Sequence, residues 1–238
     1  TRNLMEEYDM KDGTPFVWNN QSNPYDNRDP RMKYTIVCNE MKWPVDPVEI
    51  WEGGTNGLPL QNATTTGYYL KKYVNNTISF EAGSTVTKKQ HNWVLFRYGE
   101  ILLNYAEAMI NAFHDPNYKD AVYNMSAREA VNQIRGRTNI SLPGFPSDIT
   151  EKDFVKRLKN ERRVELAFEG HRFWDVRRWK ELGQTANIYG VKITKNNEVI
   201  SYEKFLLETR AVTDNMYFYP IPNTERFKNP NLGQNPGW

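Results

Sequence analysis

The residues of this 238-residue chain whose types and spacing suit chemistry concentrate between Asn160 and Lys180, in the stretch NERRVELAFEGHRFWDVRRWK. Glu161 and Glu165 stand four residues apart, and Arg162, Arg163, Arg172, Arg177 and Arg178 surround them in sequence. Paired carboxylates can do general acid–base work, and two of them across a cleft can cleave a glycosidic bond. The same residue types also make buried ion-pair networks that fix how two helices dock. The network is the better reading. Arginines this close keep both carboxyls ionised, the wrong state for a proton donor. No second carboxylate cluster faces them across an obvious loop. The expected network is Glu161, Arg162, Arg163, Glu165, Asp175, Arg177 and Arg178, joining a long helix, a short helix and the tail.

A second set of residues is aromatic. The chain has 14 Tyr, 11 Phe and 7 Trp. A sugar presents a flat patch of C–H groups edged by hydroxyls, so a ring face with Asn, Asp or Arg beside it is suitable receptor chemistry. By that criterion the sugar-contacting candidates are Trp18 with Asn19 and Asn20, Tyr25 with Asp26, Trp43, and Trp51 with Glu52. Core or loop packing competes as the explanation for each ring. Nothing else points to catalysis. His91, His114 and His171 are scattered, and no HExxH, GxSxG or phosphate-loop motif occurs, so neither catalytic residues nor a cofactor are expected. Asp115, Asn117 and Asp120 lack the glycine and closing glutamate of an EF-hand, so no metal site is assigned.

Composition narrows the classes. A net charge of +2 gives no reason to expect nucleic-acid binding. No run of eighteen apolar residues exists to span a membrane. Cys38 is the only cysteine, so no internal disulfide is possible, and an inert buried thiol is expected. The chain starts at Thr1 with no signal peptide before it, as in a mature, trimmed or partial sequence.

Several elements must position these residues. Residues 1–90 read as loop-rich, broken by Pro15, Pro24, Pro30, Pro44, Pro47 and Pro59. Within them Met32–Cys38 reads as extended, and 81–90 as a polar mobile loop. A helix is expected from Asn92 to about Phe113, with Leu95, Tyr98, Leu102, Tyr105, Ala106 and Met109 in one stripe. Ser126 and Glu129 form a capping box for a helix running to about Arg137. The long helix starts at the N-cap Thr150 and runs to Gly170, with Phe154, Leu158, Glu161, Glu165 and Phe168 on one face. HRFWDVRRWK is a second, short helix. Tyr189–Thr194 and Glu198–Tyr202 alternate around Asn196-Asn197 as a β-hairpin. The tail wraps the helical body as ordered coil.

Glu161 to Trp179 resembles the signature near the C-terminus of SusD/RagB-family proteins, lipid-anchored outer-membrane proteins that bind glycans and cap a TonB-dependent transporter. Asn27-Arg28-Asp29-Pro30-Arg31 resembles that family's RDPR turn, and Asn92–Ala108 its central helix. Pro220-Ile221-Pro222 and the closing Gln234-Asn235-Pro236-Gly237-Trp238 resemble its tail. The resemblance spans nearly the whole chain and corresponds to the C-terminal half of such a protein. It implies a mainly α fold: a TPR-like helical scaffold with long ordered loops and a small β-hairpin. The chain would be a single SusD-like C-terminal domain, loop-rich over 1–90, with helical core, hairpin and wrapping tail over 91–238. The implied function is non-catalytic glycan binding at the outer membrane and delivery to a SusC-like TonB-dependent transporter. Membrane contact would come only through a lipid anchor in the N-terminal part. A TPR-type scaffold for protein interaction is the alternative, and a glycoside hydrolase a weaker one.

Overall fold

The computed structural model describes residues 1–19, 23–78 and 88–238. Among these the fold is mostly helical, with seven helices and two small two-stranded sheets. The expected mobile loop at 81–90 falls largely outside the described residues, as does Asn20.

Four helices form one half. These are α3 (Tyr98–Phe113), α4 (Ala127–Arg135), α5 (Glu151–Glu165) and α6 (His171–Arg178). The capping box at α4 is complete: the Ser126 hydroxyl accepts from the Glu129 N–H, and the Glu129 carboxylate accepts from the Ser126 N–H. At α5 the Thr150 hydroxyl accepts from the Asp153 N–H and donates to its carboxylate. Leu103, Ala106 and Ile110 of α3, Ala130, Val131 and Ile134 of α4, and Phe154 and Leu158 of α5 make a contiguous apolar core.

The loop-rich half carries its own core. Met5, Tyr8, Tyr25, Met32, Ile36, Val37 and Tyr68 meet Val191, Ile193 and Tyr202 of the hairpin. That hairpin is β3 (Asn187–Asn196) with β4 (Val199–Thr209), antiparallel, with an irregularity between Ile188 and Tyr189. Asn196 pairs with Val199, so Asn197 and Glu198 form the turn, one residue later than the sequence suggests. Asn197 supplies the positive φ that such a turn needs. A short pair, β1 (Ile36–Val37) with β2 (Tyr69–Leu70), closes the other side. Val164 of α5 packs in this second core, whereas Phe154 and Leu158 pack in the first. The helix therefore crosses the seam between the two cores, and Glu161 and Glu165 lie at the crossing.

Three expectations are corrected. Met32–Cys38 is not wholly extended: Asp29 N-caps a helical turn, α2 (Pro30–Thr35), with Pro30 at its first position, and only Ile36–Val37 is strand. The helix expected from Asn92 begins at Tyr98, capped by an extended Arg97, so Trp93–Phe96 precede it and stand exposed. The long helix ends at Glu165 rather than Gly170. Phe168 takes a positive φ and turns out to solvent, and Gly170, also at positive φ, becomes the N-cap of α6. No helix among the described residues is long and apolar enough to cross a membrane.

Candidate functional site

The carboxylates of the signature helix are buried and fully engaged. Glu161 takes Arg31 on one oxygen and Arg135 Nη1 on the other at 2.8 Å. Glu165 receives Arg31 at 3.0 Å and Arg137 at 2.9 Å on Oε2, and Arg97 at 2.7 Å on Oε1. Arg31 also grips Asp29, the cap of its own helix. The RDPR turn is thus welded to the signature helix. Its other arginine, Arg28, is buried with no carboxylate paired to it among the described residues. It donates to the carbonyls of Met5, Tyr8 and Pro24 and stacks at 3.6 Å over Phe16. Burial alone would raise the Glu165 carboxyl, but Arg31, Arg137 and Arg97 outweigh it and hold it down to about 2. Glu161 is held low against the same burial by Arg31 and Arg135. Neither carboxyl carries a proton to donate near neutrality.

A second node joins α5, α6 and α3. Arg162 and Arg178 both bind Asp175 at 2.8 Å, Arg162 also donates to Asn104, and Arg178 pairs with Glu107. Trp179 Nε1 donates to Glu107 as well, at 2.8 Å.

Five of the seven expected members thus join these nodes: Glu161, Arg162, Glu165, Asp175 and Arg178. The other two do not. Arg163 turns away to Glu7 and the carbonyl of Asn3. Among the described residues Arg177 makes no ion pair; it donates to the Phe173 carbonyl and lies 3.5 Å over the Phe173 ring. The tail supplies no charge either. The partners come from upstream, from Arg31, Arg97, Arg135 and Arg137. Sequence proximity pointed to local arginines, but helical geometry places i and i+4 on one face and i+1 and i+2 on others. Arg162 and Arg163 therefore cannot reach the face that carries Glu161 and Glu165.

The four aromatic candidates fare differently from one another. Tyr25 is buried, its ring edge-on to Tyr68 at 6.1 Å and Tyr202 at 5.4 Å, and offers no open face. Trp18 is half-buried, with Arg2 3.7 Å above its ring and Phe16 against its edge. Arg2 is itself buried and paired to Glu6, so that face is fixed. Trp43 and Trp51 are also half-buried, but their covering cations are lysines, Lys71 at 4.4 Å and Lys195 at 4.6 Å. A lysine on a four-carbon stem can leave a ring face at small cost.

Trp51 packs partly against the loop-region core, as Trp43 does, and stands on a tightly tied loop. Its loop closes through Gly53 N–H to Leu58 O, Gly54 N–H to Trp51 O and Asn56 N–H to Glu49 O. A side chain at Gly57 would stand 2.1 Å from the Trp51 carbonyl oxygen, so only glycine fits there. Glu52 follows the ring and meets Lys192 at 3.3 Å. Beside the loop lies a small apolar hollow of about 240 Å³, lined by Ile50, Leu58, Val191, Ile193 and Phe205 among others.

Rings that the sequence did not single out are more exposed. Trp93 is 78% exposed and stacks on Tyr73, with His91 edge-on to Tyr73. Trp174 is 59% exposed and packs with Phe173 and Tyr219. Trp93 was hidden by assigning it to the helix that follows, and Trp174 by counting it as interior payload of α6. No group of His, Cys, Asp or Glu able to hold a metal ion occurs among the described residues.

The SusD family model matches residues 1–238. Two SusD-like proteins of Formosa agariphila are 29% identical over 163 residues and 37% identical over 150. Those matches cover 66% and 60% of this chain but only 28% and 24% of the relatives' lengths. A SusD-like protein from Bacteroides fragilis superposes with a TM-score of 0.81 at 27% identity, over all of this chain and 46% of that one. A second Bacteroides fragilis structure, described as a SusD-like carbohydrate-binding protein, gives 0.70 at 25% identity over 98% of this chain and 47% of that one. The chain therefore spans less than half the length of these relatives. The weld between the RDPR turn and the signature helix, the paired helices α3 and α4, and the trailing hairpin all belong to one architecture, and with a family match over every residue the chain belongs to the SusD family.

Proposed function

We propose that this chain binds a glycan without transforming it, at the outer-membrane surface, and serves delivery of that glycan to a SusC-like TonB-dependent transporter. The observation that carries the binding step is the Trp51 loop. A half-buried indole is held on a glycine-dependent turn, with Glu52, Lys192 and Lys195 around it. A ring face with hydrogen-bonding groups at its rim suits a sugar, and swinging Lys195 aside would open the face while keeping a donor for a hydroxyl. Trp43 under Lys71 is the second ring of the same kind. Trp93 fits less well, because its neighbours Val94, Leu95 and Phe96 are apolar and exposed.

The absence of chemistry rests on the charge arrangement. Glu161 and Glu165 are buried behind arginines rather than set across a cleft. Stacking on a shallow ring gives affinities of about 10 μM to 1 mM. The test is electrophoresis through gels cast with a panel of polysaccharides, with new reducing ends assayed in parallel. Retardation by at least one glycan without release of reducing ends is expected. Sustained enzyme-dependent release would overturn the binding-only reading, and no retardation by any glycan would overturn the glycan.

A TPR-like scaffold for protein contact has one observation of its own, the exposed apolar run Trp93–Phe96 beside Tyr98 and Ile101 of α3. Contiguous apolar surface of this kind marks protein interfaces. It concerns residues other than those of the Trp51 loop and does not compete with that reading.

A further inference from the structure

A cleft of about 1010 Å³ lies away from the Trp51 loop, between the first residues of the chain, α5 and the hairpin. Asn3 ties its walls together: Arg163 donates to the Asn3 carbonyl at 3.0 Å, and the Asn3 side chain accepts from the Tyr189 N–H at 2.8 Å. Arg172 of α6 also lines this cleft. It is half-buried, and among the described residues its one side-chain hydrogen bond runs from Nη2 to Gln184 at 2.7 Å. Among the described residues no carboxylate lies within ion-pair distance of it.

The carboxylates near Arg172 are already committed elsewhere. Glu7 is taken by Arg163. Glu181 is taken by Lys159 and by the Gln184 amide. Asp175 is taken by Arg162 and Arg178. Burial, with the adjacent Arg163 charge added to it, pushes the Arg172 guanidinium down to about 10. A desolvated guanidinium with unused N–H groups facing a cleft gains more from an anion than a solvated one does. Lys204, across the cleft on β4, is likewise without a carboxylate; its Nζ rests 3.8 Å over the Tyr189 ring. Arg172, Lys204 and the Tyr189 ring thus share a cavity large enough for several sugar units, and Lys152 and Lys156 of α5 line it as well, all four cations without an ion pair among the described residues.

We propose that this cleft binds an anionic sugar, its carboxylate or sulfate ester received by Arg172 and Lys204 and its C–H face laid toward Tyr189. This rests on the glycan reading above, and it adds a second subsite and a charge class to it. An acidic ligand would bind more weakly as salt rises, as exposed charge pairs do.

The test is calorimetric titration of the chain with three probes: oligogalacturonate for the carboxylate, a sulfated galactan oligomer for the sulfate, and a neutral cello-oligosaccharide. At least one acidic probe binds, and Arg172→Gln and Lys204→Gln each weaken it about tenfold or more. Trp51→Ala leaves that binding in place. Lys204 is exposed on a strand, so K204Q remains informative even if R172Q folds poorly. The acidic probe that binds identifies the anion. If neither acidic probe binds, or both variants bind it as the parent does, the subsite is wrong. Retained binding of a neutral glycan in that case leaves the Trp51 reading standing; loss of every glycan sinks both.

Discussion

The seam between the two cores and the loop region at residues 1–70 are built from the same ingredients, arginine or lysine beside acids and rings, and they put them to opposite uses. At the seam every cation ends on a carboxylate: Arg31 on Asp29, Glu161 and Glu165, Arg135 on Asp9 and Glu161, Arg97 on Glu165 and Glu169. In the loop region cations end on aromatic faces: Arg2 on Trp18, Arg28 on Phe16, Lys71 on Trp43. The first arrangement is buried and allows no exchange of partners without leaving a naked charge. In the second Arg2 and Arg28 are buried and fixed, but Lys71 and Trp43 are half-buried, and a lysine resting on a ring gives up only about 0.5–1 kcal/mol when it leaves. A density of charge and rings in sequence therefore does not by itself mark a site. What marks one is whether the partner can be displaced.

The largest test of that contrast removes one seam carboxylate. Glu165→Ala takes one carboxylate from Arg31 and from Arg97, takes from Arg137 its ion pair, leaves a hole among three cations, and costs about 3–5 kcal/mol. Thermal denaturation of this variant beside Lys152→Ala, an exposed lysine expected to change stability by less than about 0.5 kcal/mol, measures it. Equal small effects for both would mean that the seam is not a locked structure.

Acid probes the same seam without mutation. Glu165 falls from an ordinary 4.5 to about 2 in the folded chain, and Glu161, Glu169 and Glu107 are also held low. A depressed folded pKa gives stability that is complete above about 4.5 and is lost as pH falls toward 2, roughly 3 kcal/mol from Glu165 alone. Urea midpoints measured from pH 6 down to pH 2 should fall steadily below about 4.5. A flat profile would contradict the buried ion pairs.

The loop region has a geometric test. Gly57→Ala brings a methyl against the Trp51 carbonyl and should cost about 1–3 kcal/mol while weakening glycan retardation. Unchanged retardation would separate Trp51 from the site. The smallest effect concerns Cys38. Burial pushes its thiol up to about 12, so a maleimide should label it only after denaturant is added. Rapid labelling in buffer would show that the core around it opens.

Much of the fold was legible because its signals are local. The Ser126 box, the Thr150 cap and the alternation around Asn197 each act within a few residues. The start of the signature helix was readable, but its end was not, since nothing local says that Phe168 turns outward before Gly170. Which residues pair with Glu161 and Glu165 was illegible for another reason: Arg31 lies 130 residues upstream of Glu161, and only the folded chain brings them together. Tyr25 shows the same limit for rings. Asp26 beside it suggested a sugar edge, but the folded chain spends that ring on Tyr68 and Tyr202. The resemblance carried the fold and the class of function, while the placement of the Trp51 loop and of Arg172 required side-chain geometry.

The central claim is that this chain binds a glycan through a ring whose cover can move. Its most direct test is affinity electrophoresis of Trp51→Ala against the parent, with melting temperatures measured on the same preparations. The account predicts that Trp51→Ala loses retardation by the cognate polysaccharide while it still melts cooperatively, at a temperature lowered only by the loss of a half-buried ring. A variant that migrates as slowly as the parent through that polysaccharide, with its fold intact, would contradict it.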